Sequence, residues 1–225
     1  MATSVIIEEQ VEIPGDIRTL ADFRRWALSD EFPEQGRIDY LGRRIEVDMS
    51  PESIFSHGKL KGMIYARLLA VVESADLGHL LIDSTRVSAP EADLSVEPDV
   101  VFLSHESIAS GRVRLVPKSG AVEDFVEVEG PPDLIVEIVS DASVTKDTAR
   151  LPAAYAKAGV PEFWLADARR EPHQFQIHHL AEGRYAAVKP DAVGFQPSRV
   201  LGRRFRLDGR RDQRGFWKFD LVGRE

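Results

Sequence analysis

Glu137 stands in the run Leu134-Ile135-Val136-Glu137-Ile138-Val139, a single carboxylate among aliphatic side chains. Bounded by Pro131-Pro132 and Ser140-Asp141, the run reads as a strand buried on both faces. An ionised carboxylate there is costly unless it has a partner, a metal or a task. Asp99, in Glu97-Pro98-Asp99-Val100-Val101-Phe102, leads into a second buried-looking strand. That strand precedes the one carrying Glu137, so the two are expected side by side. Two carboxylates converging at a sheet edge form a usual cage for Mg²⁺, which takes oxygen ligands at about 2.0–2.1 Å. Mn²⁺ accepts the same donors. Such an ion activates water and stabilises charge on a phosphate oxygen. The plainer reading of Asp99 is a solvated strand-end acid.

The elements that must position these acids are legible from periodicity. Thr19-Leu20-Ala21-Asp22 has the pattern of an N-cap and its box acid, opening a helix through Leu28 after an irregular or edge-strand lead-in over residues 1–18. Arg37–Tyr40 and Arg44–Met49 around Gly42 read as an N-terminal hairpin. Leu60, Met63, Ile64, Leu68, Val71 and Val72 mark an amphipathic helix over 55–75. Strands are expected over His79–Ser88, Val96–Leu103, 133–140 and Glu162–Ala168, with an excursion from the core at 104–130 and a helix at 147–158. Turn signals at Glu182-Gly183 and Asp208-Gly209 make residues 169–225 a β-rich, Arg-rich periphery. The core order is helix, strand, strand, strand, helix, strand, which implies an α/β domain of α+β type with a mixed sheet. With no repeat or linker, residues 1–225 read as one domain with its core at about 37–168. Alternation puts Asp133, Ile135, Glu137 and Val139 on one face of their strand, expected to open toward a cleft. Leu134, Val136 and Ile138 face a packed layer.

Composition narrows the function classes. The chain has 225 residues, 43% hydrophobic and 29% charged, and no cysteine, which excludes disulfides and thiolate chemistry. No stretch is long and apolar enough for a membrane span, and no signal peptide is visible, so a cytoplasmic location is expected. Net charge is −8, yet residues 196–225 alone hold nine Arg/Lys against four Asp/Glu. A basic end on an acidic body is compatible with phosphate contact, though Arg-rich ends are commonly just solvated. Neither a Gly-rich phosphate loop nor a Gly-x-Ser-x-Gly elbow is present, which disfavours nucleotide hydrolases and serine esterases.

Four separated segments together resemble one family. These are Met49-Ser50-Pro51 with Ser56-His57-Gly58, Glu97 to Phe102, Pro132 to Ser140, and Tyr155-Ala156-Lys157-Ala158-Gly159-Val160-Pro161-Glu162-Phe163-Trp164. The combination resembles the Uma-type family of restriction endonucleases, within the PD-(D/E)xK nuclease superfamily. The resemblance covers about residues 37–168. It implies a restriction-endonuclease-like αβββαβ core, Asp99 and Glu137 as metal-binding carboxylates, Mg²⁺ as cofactor and DNA as substrate. It leaves a homodimer open, since many nucleases pair to cut two strands.

The pattern is broken at the lysine. The superfamily position two residues after the acid is Val139, and the position four before Tyr155, to which the family lysine often migrates, is Leu151. Lys146 and Arg150 are the nearest substitutes, with Lys157 further on. Lys146, at the helix entrance, has a flexible stem that reaches toward a phosphate; Arg150 stays charged and makes a poor base. Pro152 implies that the helix starts or bends near Leu151, leaving 146–150 as a loop over the site. His57 opens the first long helix with Lys61 one turn on. The resemblance turns His57 toward the site, where it would bind phosphate, hold water or assist proton transfer; a surface or capping role is the alternative. His178 and His179 alternate on a strand, which argues against a zinc site.

The leading reading is therefore a Mg²⁺-dependent endonuclease with Asp99, Glu137, Lys146 and His57 in its site. A nuclease-fold protein without turnover, serving as a nucleic-acid-binding or interaction module, is the alternative motivated by Val139 and Leu151. A hydrolase of smaller phosphoesters is the third.

Overall fold

The computed structural model describes residues 12–33 and 36–225, so most of the expected lead-in lies outside the described residues. Helix α1 (Leu20–Ala27) opens with the capping box anticipated from Thr19 and Asp22. Strands β1 (Arg37–Leu41) and β2 (Ile45–Asp48) form the N-terminal hairpin. A π-helical turn, Ile54–Lys59, runs into α2 (Leu60–Ser74). Then come β3 (Gly78–Ile82), β4 (Arg86–Ala89), β5 (Leu94–Val96), β6 (Val100–Ser104), α3 (His105–Ala109), β7 (Arg114–Pro117), β8 (Phe125–Glu129) and β9 (Leu134–Ile138). A second π-helical turn, Lys146–Arg150, enters α4 (Leu151–Ala158), followed by β10 (Glu162–Asp167). The chain ends in β11 (Gln174–Ala181), β12 (Arg184–Ala187), β13 (Gln196–Ser198), β14 (Arg203–Arg211) and β15 (Trp217–Arg224).

The expected αβββαβ order is carried by α2, β3, β6, β9, α4 and β10. Their sheet has the order β12-β11-β10-β9-β6-β3. Within it β3–β6 and β6–β9 are antiparallel while β9–β10 is parallel. A second sheet, β2-β1-β5-β4-β8-β7, covers part of its face, and β13-β14-β15 form a third.

Alternation along β9 sorts the core as expected. Leu134, Val136 and Ile138 join Leu60, Ile64, Leu68 and Val72 of α2 in the largest apolar cluster. Shortening one of those side chains to Ala is worth about 2–5 kcal/mol. Ile135, on the opposite face, packs with Leu151 and Tyr155 of α4 and with Leu94 and Val96 of the second sheet. Thus α4 lies where the two six-stranded sheets meet. Gly159 closes it in the left-handed region at φ 86°, a conformation Gly adopts without steric penalty.

Several boundaries differ from the sequence expectation. His79–Ser88 is two strands in different sheets, because Asp83 (φ 39°) and Ser84 (φ 45°) turn left-handed between them. The strand expected at Val96–Leu103 is interrupted at Glu97-Pro98-Asp99, where Pro98 lacks an N–H for the ladder. Residues 146–150 are a helical turn rather than a loop; the Leu151 N–H bonds to Lys146 O, and Pro152 sits in the first turn of α4, where a missing N–H is tolerated. Asp208-Gly209 lies inside β14 and not at a turn. The His173 ring occupies the space a Cβ on Gly209 would need, which explains the glycine without a bend. The terminal segment is also more than periphery: β11 and β12 extend the central sheet, while Leu201, Phe205, Phe219 and Leu221 enter the largest cluster. Among the described residues no helix is long and apolar enough to cross a membrane.

Candidate active site

The β6–β9 ladder pairs Val100 with Val136, which sets Asp99 one step further, beside Glu137. There the ladder ends in a side chain. The Ile138 N–H donates to Asp99 Oδ2 at 2.7 Å, so the sheet itself positions this carboxylate. Arg37, from β1, donates to the other oxygen at 3.1 Å. Both acids are 1% exposed, which removes the solvated strand-end reading of Asp99.

Glu137 is held from α4: the Tyr155 hydroxyl donates to Glu137 Oε1 at 2.5 Å. Glu137 Oε2 is buried with no hydrogen-bond partner. Asp147, on the turn before α4, accepts from the Ser143 hydroxyl through one oxygen and leaves Oδ1 equally orphaned. Burial, then the charges of Asp99 and Asp147, push the Glu137 carboxyl well above the usual range. Burial, with Asp99 nearby, takes Asp147 up to about 6 against the pull of its Ser143 bond. Asp99 goes the other way. Burial opposes its charge, but His57, Arg37 and the Ile138 N–H outweigh that and hold it well below an ordinary carboxylate. One strongly ionised acid thus faces two whose ionisation is suppressed, the pattern of like charges crowded in low dielectric.

Cations ring this group. Lys146 is buried and ion-paired to Asp39 of β1, which also accepts from the Glu97 N–H at 3.0 Å. Lys61 Nζ bonds to Glu52 (2.9 Å) and Asp83 (2.7 Å) and lies 3.6 Å from Asp99 Oδ1. His57 Nε2 lies 3.6 Å from Asp99 Oδ2. Its Nδ1 is 3.1 Å from Glu52 Oε2 but outside hydrogen-bond geometry, leaving a buried ring nitrogen without a partner. Burial works against the imidazolium, yet Asp99 and Glu52 raise His57 above its ordinary value. A cleft of about 550 Å³ opens over these residues, lined by Arg37, Asp48, Glu52, Ser56, His57 and Ser140 among others.

Asp99, Glu137, His57 and Lys146 therefore meet in one place. Arg150 does not: it is exposed and pairs with Glu46. Lys157 is exposed on α4. Asp133 shares the Glu137 face but not the cleft. At the far end of β9 its carboxylate accepts from the Ser104 N–H at 2.7 Å and pairs with Arg112, bracing the start of α3. Val139 and Leu151 are buried, and neither offers a cation to the site. His178 packs on Phe163 and Tyr185, while His179 points to Pro197 O, as alternation requires.

Arg37, Asp39 and Asp147 were not singled out from sequence. Asp39 had the same signature as Glu137, an acid inside Ile38-Asp39-Tyr40-Leu41, and Arg37 is two residues away on the same strand face.

A family model described as "Putative restriction endonuclease" matches residues 20–208, most of the chain. The chain belongs to the Uma2 family. The Uma2 match extends past the segments that carried the resemblance at both ends, taking in α1 and most of β14. Among solved structures, this Uma2 chain is similar to a putative nuclease belonging to DUF820 from Anabaena variabilis ATCC 29413. The TM-score is 0.55 at 18% identity, over 82% of this chain and 90% of that one. At that identity the likeness speaks to fold, and the fold is restriction-endonuclease-like. No curated protein matches the chain.

Proposed function

We propose that this protein is a divalent-metal-dependent endonuclease that hydrolyses DNA phosphodiester bonds. The observation that carries the reading is the orphaned Glu137 Oε2, buried beside Asp99 on paired strands beneath an open cleft. An acceptor left so costs stability with no return inside the protein. Asp99 and Glu137 would hold the ion, and Asp147 adds its negative charge to theirs. An all-oxygen set with one imidazole at its edge fits Mg²⁺ or Mn²⁺ better than zinc or copper. Glu52, His57 and Asp99 offer a neighbouring set, with ligand atoms within 4.8 Å of one another. When bound, the ion supplies an acidified water and neutralises charge on the phosphate.

The chain's own groups have distinct tasks. Tyr155 fixes Glu137 through one oxygen and leaves the other free for a ligand. Arg37 and Lys61 lie against Asp99 and place positive charge where a phosphate would gain negative charge. Lys146 stands in for the missing strand lysine. Burial opposes its charge, but Asp39 keeps it protonated, so it acts as an electrostatic partner and not as a base. His57, which lines the cleft, would serve through its imidazole as a proton acceptor or donor for a bound water.

The test is a plasmid nicking assay titrated with Mg²⁺ and Mn²⁺, with Glu137→Ala alongside. Metal-dependent nicking is expected from the native protein and none from the variant. Equal nicking by both would assign the activity to a contaminant. DNA retention without nicking under any metal would favour the binding-module reading, which the buried Val139 and Leu151 support.

A further inference from the structure

Next to the acids, the lip of the cleft carries aromatic surface. Phe55 lies between Ser53 and Ser56-His57, all three of which line the cleft. Its ring stacks on that of Phe216, with centroids 5.1 Å apart and planes within 10°. Phe216 sits in the turn between β14 and β15 and is 49% exposed, so one ring face is covered by Phe55 and the other is left toward solvent. Ile54 beside it is 76% exposed. Lys59 joins the two elements. Its ammonium lies 5.1 Å from the Phe55 centroid and donates to Trp217 O at 2.6 Å, pinning the hairpin tip against the start of α2.

The hairpin's charges divide by face. Arg211 is used internally: it bonds to Glu171 and Gly215 O and lies over the Trp217 ring at 4.3 Å. Arg210 is different. It stands directly across from Lys218, and both are exposed. Like charges opposite each other on an antiparallel pair destabilise the pair. Arg214, in the turn, is exposed as well. Among the described residues none of these three forms a close ion pair, though the charges of Lys218 and Lys59 reach Asp212 in the turn. The last thirty residues carry a net +5 on a chain whose total is −8, so a polyanion repelled by the body is drawn to this end.

We propose that the Phe55–Phe216 stack, flanked by Lys59, Arg210, Arg214 and Lys218, is a docking platform for single-stranded DNA leading into the cleft. An open aromatic face accepts an unstacked base of any identity, and adjacent cations track the backbone. A base in a duplex keeps its faces occupied, so the platform selects frayed or unpaired flanks. The inference rests on the nuclease reading, and it names which part of the substrate arrives first.

The experiment is fluorescence anisotropy with the full chain in chelator, so that nothing is cleaved. The probes are a labelled oligothymidylate of about 12 nucleotides, within known single-strand site sizes, and a blunt duplex of equal length. Phe216→Ala is expected to weaken oligothymidylate binding about fivefold or more, with a smaller effect on the duplex. Phe216→Trp is expected to restore or tighten it. Arg210→Gln with Lys218→Gln should reduce the salt slope by about 1.4, two single-strand phosphate contacts. A thermal melt of each variant excludes unfolding as the cause. Wild-type affinity in Phe216→Ala, equal losses on both probes, or a shift from dimer to monomer in light scattering would each overturn the proposal. Nicking by the native protein is scored separately, so a failed platform and a failed nuclease assignment are told apart.

Discussion

Tyr155→Phe removes one oxygen and tests the role of the Glu137 clamp. The hydroxyl and its acceptor are both fully buried, at 2.5 Å, on elements that otherwise meet through apolar packing. Phe fits the same volume, so the perturbation is the loss of the donor. Glu137 then has two orphaned oxygens where it had one. Stranding a buried acceptor costs about 1–3 kcal/mol, which for a chain of this size lowers the melting temperature by roughly 2–12 °C. The effect on activity should be larger and of a distinct kind. Removing a residue that orients a ligand costs about 10–100-fold in metal affinity or rate, and here it should appear as a raised Mg²⁺ requirement that saturating metal largely repairs. Melting curves in chelator and nicking rates across a Mg²⁺ titration separate the two effects. Unchanged melting together with an unchanged Mg²⁺ midpoint would refute the argument that Tyr155 holds Glu137 for a ligand.

Three further outcomes follow from the same geometry. Glu137→Leu with Tyr155→Phe, which leaves no stranded hydroxyl, should abolish nicking yet raise the melting temperature above that of Tyr155→Phe, because burial opposes the carboxylate that it replaces; a lower melting temperature would contradict the claim that this acid is a stability cost. Lys146→Met strands Asp39 and should cost about 3–5 kcal/mol, whereas Asp39→Asn with Lys146→Met should recover most of it in melts; nicking by that folded double variant would show that Lys146 is structural only. Burial holds His178 below its ordinary value, so the unfolded chain binds the extra proton and His178 stabilises fully above about pH 6.5, with the contribution lost as pH falls below it. His178→Phe should therefore flatten the fall in melting temperature between pH 7.5 and 5.5, and an unchanged slope would assign that fall to other groups.

The architecture was legible wherever one rule acted alone. Period-two alternation around Glu137 separated the faces of β9 correctly, and 3.6-residue spacing located α2. Failures came where a second requirement overrode the local one. Asp133 obeys alternation but is claimed by the N-terminus of α3, a contact distant in sequence. Gly209 looked like a turn because Asp-Gly usually is one, and only the His173 ring explains it. For the site, the two acids stood out because charge in an apolar strand is rare. Arg37 and Asp147 sit in polar surroundings in the sequence, and nothing local distinguishes them from solvated residues. Their significance depends on β1 of the second sheet and the turn before α4 crossing over the central sheet, which no spacing encodes.

That crossing has a consequence of its own. Arg37 and Asp39 belong to one sheet; Glu137 belongs to the other, Asp99 stands at the entrance of its strand β6, and Lys146 pairs with Asp39. The ion pairs that surround the chemistry are therefore also the stitches of the seam between two layers. A phosphate that draws Arg37 from Asp99 loosens that seam, and by reciprocity anything that parts the layers weakens phosphate binding. On the proposed reading, phosphate affinity and interlayer spacing are thus coupled, and the coupling is measurable from either end.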